Sequence, residues 1–443
     1  MRAIHLSLLI GFGFLAGALP VLGQTSAGDT PPAESRWTIH FQATSIGQYH
    51  GSFPSLYEGV NSLPSHPESR VSLTATVFLG FRVNDHVQLV VNPEVAGGKG
   101  FGMVTGIAGF TNGEIPRVSG ATPTLYPARA FVQTLWALGA ETESLGDGVN
   151  QIAGRVPVRR LTTVTGKFAL TDYFDNNTYS HDPRRQFMNW ALMSDGAWDY
   201  PADTRGYTIG TYEELAMKTW SLRFATVMEP TEANGPTFDT RIGSNHGNVV
   251  EWEGRYAPRQ RSGVVRVLAF ANREDAGTFR EAILPDGTTD LAATRRNGTL
   301  KYGFGVNMEQ SLTPDIGVFG RYGWSDGKTE SWAFTQIDRS VSGGVSINGR
   351  LWKRKSDCIC VAAVRNYLSG DQRSFLAHGG VGFIIGDGRL DHYRPEDIVE
   401  AYYSWHAAKQ WTVTADYQHV GNPAYNADRG PVSVGTIRLH WER

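Results

Sequence analysis

The stretch VSLTATVFLGFRVNDHVQLVVNPEV, residues 71–95, decides the fold. Val71, Leu73, Ala75, Val77, Leu79 and Phe81 share one face of an extended chain, and Ser72, Thr74, Thr76 and Arg82 share the other. Asn84-Asp85 supplies a turn, after which Val87, Leu89, Val91 and Val95 alternate with His86, Gln88, Asn92 and Glu94. Both runs exceed the roughly five or six residues usual in soluble sheets. They match the roughly nine to eleven that a tilted strand needs to cross a bilayer.

The two-residue period recurs outward to the C-terminus. Leu300, Tyr302, Phe304, Val306 and Met308 oppose Lys301, Gly303, Gly305, Asn307 and Glu309, and the last strand sets Ile437, Leu439 and Trp441 against Thr436, Arg438 and His440. About sixteen strands follow from this reading: 36–48, 70–83, 86–96, 127–138, 158–171, 205–217, 219–229, 247–258, 262–274, 298–312, 316–326, 339–351, 359–369, 396–407, 410–421 and 431–442. Connections after even-numbered strands are mostly short, with 139–157 the exception, attributed here to a misplaced boundary. Those after odd-numbered strands are long. The expected fold is therefore all-β: a transmembrane antiparallel β-barrel with long extracellular loops, both termini in the periplasm, and outer-membrane lipids around it. A soluble sandwich also alternates, but it has no reason to use such long strands or to segregate its loops by length.

In such a barrel the apolar face meets lipid and the polar face lines the lumen. Arg82, Glu94, Arg129, Glu251, Arg255, Arg321, Arg350, Glu400, Asp416 and Arg438 are expected to point inward. Trp220, Trp252, Tyr302, Trp324, Trp405, Trp411 and Trp441 stand near strand ends, as aromatic girdles do. A lumen of about sixteen strands is wide enough for an aqueous channel, so selectivity needs something folded into it. The segment after the fifth strand suits that role as an inward-folded constriction loop. Its sequence GKFALTDYFDNNTYSHDPRRQFMNWALMSDGAWDYPADTRG, 166–206, stops alternating at Asp172 and interleaves carboxylates, guanidiniums and rings. Those groups supply bidentate hydrogen bonds to vicinal hydroxyls and a flat face for a pyranose. Arg184 and Arg185 either present guanidiniums to sugar hydroxyls or pair with Asp182 and Asp199 to hold the loop. Trp190 reads as an anchor and Trp198 as the sugar platform.

Residues 1–23 combine Arg2 with an apolar run from Leu6 to Leu19 and read as a secretory signal peptide. Residues 24–35 read as a flexible lead-in, and 36–443 as one outer-membrane β-barrel domain. The 51 glycines, 11% aromatic content and mean hydropathy of −0.29 suit a surface-rich β-protein. A net charge of −2 gives no reason to expect a nucleic-acid partner. Cys358 and Cys360 have no second pair to complete a structural metal site, so neither metal nor cofactor is expected.

The blocks YEGVNSLPSHPESR (57–70), TATVFLGFR (74–82), VNPEVAGGKGFG (91–102), GIAGFTNGEIPR (106–117), GKFALTDYFDNN (166–177) and HDPRRQFMNWALMSDGAWDYPADTRGY (181–207) occur in order along the chain. With them the chain resembles a carbohydrate-selective porin of the OprB family over nearly the whole mature sequence. The resemblance implies a sixteen-stranded outer-membrane barrel through which glucose and related sugars diffuse into the periplasm. Porins of this size occur as monomers and trimers, so a homo-oligomer is compatible. One departure is the C-terminus, Trp441-Glu442-Arg443, where such barrels usually end in an aromatic residue.

The substrate path is expected to involve Arg82, Glu94, Arg129, Asp175, Asp182, Arg184, Arg185, Asn189, Trp190, Trp198 and Asp199. The alternative function is an outer-membrane or secreted β-rich carbohydrate-active enzyme, and a third reading is a closed structural barrel or adhesin. Glycoside cleavage needs two carboxylates at a fixed gap, one kept protonated. The loop's acidic residues each have basic neighbours, which favours ordinary ion pairs. The Gly-x-Ser-x-Gly match at 323–327 ends a strand with no helical pattern after it, so it lacks the setting of a nucleophile elbow. No catalytic residue is therefore expected.

Overall fold

The computed structural model describes residues 36–115, 122–146 and 148–443. The expected signal peptide and lead-in lie outside them. Sixteen strands close into an antiparallel barrel: β1 Trp37–His50, β2 Glu68–Arg82, β3 Val87–Gly98, β4 Thr124–Ala137, β5 Arg160–Phe168, β6 Thr208–Ala216, β7 Trp220–Val227, β8 His246–Tyr256, β9 Gly263–Ala276, β10 Arg296–Ser311, β11 Ile316–Ser325, β12 Arg339–Asn348, β13 Cys358–Tyr367, β14 Glu396–Ala408, β15 Trp411–Gly421 and β16 Val432–Glu442. Each strand pairs with its sequence neighbours. β1 and β16 close the ring in register from Gln42 opposite Glu442 to His50 opposite Val434, so no edge is left open. Trp441 takes part in this closure, opposite Ala43 on one side and Trp411 on the other.

The faces are inverted relative to a soluble barrel. Leu73, Val91, Val250, Phe304 and Ile437 are exposed outward, whereas Thr74, Thr76, Glu94, Glu251 and Arg438 are buried inward. Trp252, Trp405 and Trp411 are about half exposed on the outer surface. This is the pattern of strands whose outer face is solvated by lipid and whose inner face meets polar groups. Among the described residues no helix is long and apolar enough to cross a membrane, and the crossing is made by strands.

Two expectations are corrected. The connection 138–159 is long in its own right: it carries a small hairpin, Thr142–Leu145 against Gly154–Pro157, and sends Ile152 to pack on Phe78 and Val90 of the inner wall. Arg350 does not face the lumen. β12 ends at Asn348, and Arg350 lies in a short helical turn, exposed and paired with Asp315 at 2.7 and 2.9 Å.

Candidate functional site: the constriction

The segment from Ala169 to Tyr207 folds into the barrel and is held from the wall by charged side chains. Glu400 accepts from the backbone N–H groups of Met188 and Asn189 at 2.6 and 2.9 Å. Glu309 accepts from the N–H and hydroxyl of Thr178, and Glu251 from the Asp175 N–H at 2.7 Å. Arg321 donates to the carbonyls of Ser180 and Leu192 and to Asp175, and Arg438 donates to the carbonyls of Pro183 and Gln186. Four expected lumen charges, Glu251, Arg321, Glu400 and Arg438, together with Glu309, thus satisfy polar groups of the loop that are buried from solvent. Wall glycines complete the seat: a side chain on Gly305 or Gly323 would collide with Asp195, and one on Gly317 with the Tyr179 ring.

The loop carries a 3-10 turn at Leu170–Asp172 and one short α-helix, Trp190–Met193, capped by Asn189, whose side chain accepts from the Ala191 N–H at 3.1 Å. A second inward segment, 99–115, packs on it. The Phe110 and Trp190 rings stack at 4.9 Å, and Glu396 accepts from the N–H groups of Ala108 and Gly109. Together the two segments leave a cavity of about 560 Å³ against the wall of β1, β3 and β4.

Arg184 sits at the centre of that cavity's polar side. It donates to Glu94 at 2.7 Å, to Glu114 at 2.7 Å and to Thr76 at 2.8 Å. Burial works against its charge, but Glu114 and Glu94 outweigh this and hold the guanidinium well above its usual value. Glu94 also accepts from the hydroxyls of Tyr126 and Tyr207. Arg129 grips Asp172 through two nitrogens, at 2.7 and 2.5 Å. The Arg205 guanidinium lies 4.0 Å over the Tyr126 ring, and Arg129 lies 5.3 Å from the Tyr207 ring. Trp190, Tyr200 and Phe334 form the apolar side. The walls therefore offer fixed charge-assisted hydrogen-bonding groups on one side and aromatic faces on the other.

The expected path residues divide into two groups. Glu94, Arg129, Asp182, Arg184, Arg185 and Trp190 line the cavity. Arg185 is half exposed and pairs with Glu442 at the turn end of the barrel, rather than with Asp199. Asp182 accepts from the Arg184 N–H at 2.9 Å; burial raises its carboxyl, and Arg184 and Arg185 more than reverse that. Arg82, Asp175, Asn189, Trp198 and Asp199 lie elsewhere. Arg82 donates to the Ala153 carbonyl of the 138–159 connection at 2.6 Å. Asp175 binds Arg321.

The expected sugar platform at Trp198 is a correction: its side chain is fully buried among Phe174 and Tyr200, because its ring fills the loop's own core. Asp199 has no arginine and accepts from the N–H groups of Trp332 and Ala333. Asp195 likewise has no guanidinium partner and accepts from the Ala197 N–H, so the loop's carboxylates are not all ion pairs.

Sequence reasoning missed Glu114, Tyr126 and Tyr207, and placed Asp172 and Arg205 in the loop's charged stretch but not on the substrate path. Tyr126 stands directly opposite Glu94 in the β3–β4 register, where β3 shifts register at Asn92–Pro93. The expected strand began one residue after it.

A closed, sixteen-stranded barrel with an apolar outer belt and an inward loop that narrows the lumen is a diffusion porin. The sequence profile of the carbohydrate-selective porin, OprB family, matches residues 81–442, and the chain belongs to that family. A comparison with curated protein sequences finds no match. Among solved structures, the fold matches the high-pH structure of Pseudomonas putida OprB with a TM-score of 0.66 and 14% identity, covering 92% of this chain and 94% of that one. It also matches the outer-membrane channel DcaP of Acinetobacter baumannii, with a TM-score of 0.50, 8% identity, and coverage of 92% and 97%. The family places the protein in the outer membrane as a carbohydrate-selective channel.

Proposed function

We propose that glucose-like monosaccharides diffuse passively through the cavity around Arg184 and leave it chemically unaltered. The observation that carries this reading is the pairing, in one narrow space, of the Arg184–Glu94–Glu114 and Arg129–Asp172 groups with the Tyr126, Tyr207 and Trp190 rings. A permeant sugar exchanges hydrogen bonds with the polar side while its C–H face slides along the rings. A channel needs this kind of contact, strong enough to admit a ligand and weak enough to release it. The cavity's carboxylates Glu94, Glu114 and Asp172 are bonded to guanidiniums, which suits the sorting of a permeant sugar. The first described strand starts at Trp37 and the last ends at Glu442, both at the short-turn end, which in this reading faces the periplasm.

Single-channel current in planar bilayers tests the proposal. Titrated glucose should block the ion current saturably, and the sugar recovered from the far side should be intact. A barrel with no open-channel current, or one that returns cleaved sugar, would sink it.

A further inference from the structure

A second group of buried polar side chains lies at the loop end of the lumen, away from the constriction cavity. Glu229 follows β7, and Asn272 and Glu274 share the inner face of β9. All three are at most 1% exposed. Both carboxylate oxygens of Glu229, both of Glu274 and the amide oxygen of Asn272 have no hydrogen-bond partner. The orientation of Asn272 is fixed, because its nitrogen donates to the Asp199 carbonyl at 2.5 Å and that carbonyl can only accept. Its oxygen therefore faces the other way.

The Asn272 amide oxygen and Glu229 Oε1 converge on Gly247, each 3.1 Å from where a Cβ on that residue would sit. A side chain at 247 would also collide with Pro201, so glycine keeps the approach open. Glu274 is near enough to Glu229 for their charges to repel. Asp199 adds a further negative charge, and burial with Asp199 nearby pushes the Glu229 carboxyl up. Among the described residues the cation facing the group is Lys301, opposite Asn272 in register. Its ammonium donates to the Thr329 carbonyl at 3.4 Å and leaves the glutamates without a bond. Two neighbouring buried carboxylates with four open oxygens stay ionised only where something positive joins them, and otherwise take up protons.

We propose that Glu229, Glu274 and the Asn272 amide oxygen bind a calcium ion that locks the loops bearing Asp199 and Thr329 onto the wall. Among the described residues no three His, Cys, Asp or Glu side chains gather as a metal site, so the ion relies on two carboxylates plus an amide oxygen. Carboxylate and amide oxygens are calcium ligands, and calcium tolerates the irregular geometry of a mixed set. Magnesium demands a near-octahedral shell and dehydrates reluctantly.

The test uses the full-length barrel refolded in detergent, stripped with chelator and titrated with CaCl2 by calorimetry, alongside heat-modifiable gel mobility. The expected result is one calcium per chain with Kd on the order of 10⁻⁴ M, the scale of extracellular calcium modules. Calcium should raise the unfolding temperature of the wild type, and magnesium should do so less. Glu274→Gln should bind at least tenfold more weakly and lose the calcium response. Should Glu274→Gln fail to fold, Glu229→Gln gives the same reading, and the wild-type titration stands by itself. Absence of saturable binding, or equal binding by wild type and both variants, would overturn the site. Stability that falls with rising pH but ignores calcium would also overturn it, in favour of two glutamates sharing a proton.

Discussion

Arg184 and Glu94 meet at 2.7 Å across the channel, one carried on the inward loop and the other on β3 of the wall. The same guanidinium holds Glu114 on the second inward segment, so one side chain ties three pieces of chain together on the polar side of the cavity. Arg184→Lys keeps the charge but loses the planar fork that reaches Glu94, Glu114 and Thr76 at once. Arg184→Ala takes the guanidinium from Glu94 and Glu114 and leaves them only hydroxyl donors. We expect the alanine variant to weaken glucose block by roughly 1.5–3 kcal/mol, the scale of a hydrogen bond to a charged group. The lysine variant should fall between it and the wild type. Block constants from current noise check this, and equal constants for all three proteins would remove Arg184 from the sugar path.

Trp198 and Tyr126 should separate structure from selectivity. Trp198 is enclosed in the loop core, and Trp198→Ala is expected to destabilise the docked loop by about 3–5 kcal/mol, the range for large aromatic truncations. Its signature is noisy, enlarged conductance and a lower temperature of heat modification. Tyr126→Ala removes a cavity ring and should weaken sugar block by about 1 kcal/mol, roughly fivefold, with little change in barrel mobility on gels. A selective loss of sugar block in Trp198→Ala with an unperturbed loop would reverse this assignment.

The contrast between those two residues shows what sequence can carry here. Alternation across 71–95 reports the fold directly, because lipid outside and polar groups inside impose opposite chemistry on successive residues. The loop has no such periodic constraint. An indole among Asp195, Asp199 and Tyr200 reads from its neighbours as a sugar platform, and packing against Phe174 makes it a core residue instead. Glu400 and Arg438 were legible as inward-facing charges, but their bonds to loop backbone depend on how 169–207 crosses the lumen. Tyr126 and Tyr207 escaped because each sits at a strand end, where pairing register rather than local pattern sets the direction of the side chain.

Asp195 gives the docked loop a pH dependence of known sign. Burial, with the neighbouring Asp175 charge adding to it, pushes its carboxyl up to about 7. The docked loop therefore takes up a proton that the undocked chain, at an ordinary aspartate value, releases first. Docking is strongest below about pH 4, weakens as pH rises through about 7, and is flat above that. Asp199 and Glu229 are raised too, so the readout is the difference between wild type and Asp195→Asn. Unfolding midpoints measured from pH 4 to 8 should decline less steeply in the variant. Superimposable curves would show that Asp195 does not titrate on docking.

Removing residues 176–198 takes out the loop helix, Arg184 and the backbone groups that Glu309, Glu400, Arg321 and Arg438 satisfy. Those wall charges are not thereby stranded, because the vacated lumen fills with water and solvates them, unlike a buried ion that loses its partner in a closed core. The barrel itself depends on a continuous ring of strand pairs that this deletion does not touch. We therefore expect a folded, heat-modifiable barrel with higher ion conductance and no saturable glucose block. Lower conductance would mean that the wall charges collapse across the opening. Unchanged conductance with normal block would place the constriction in the 99–115 segment instead.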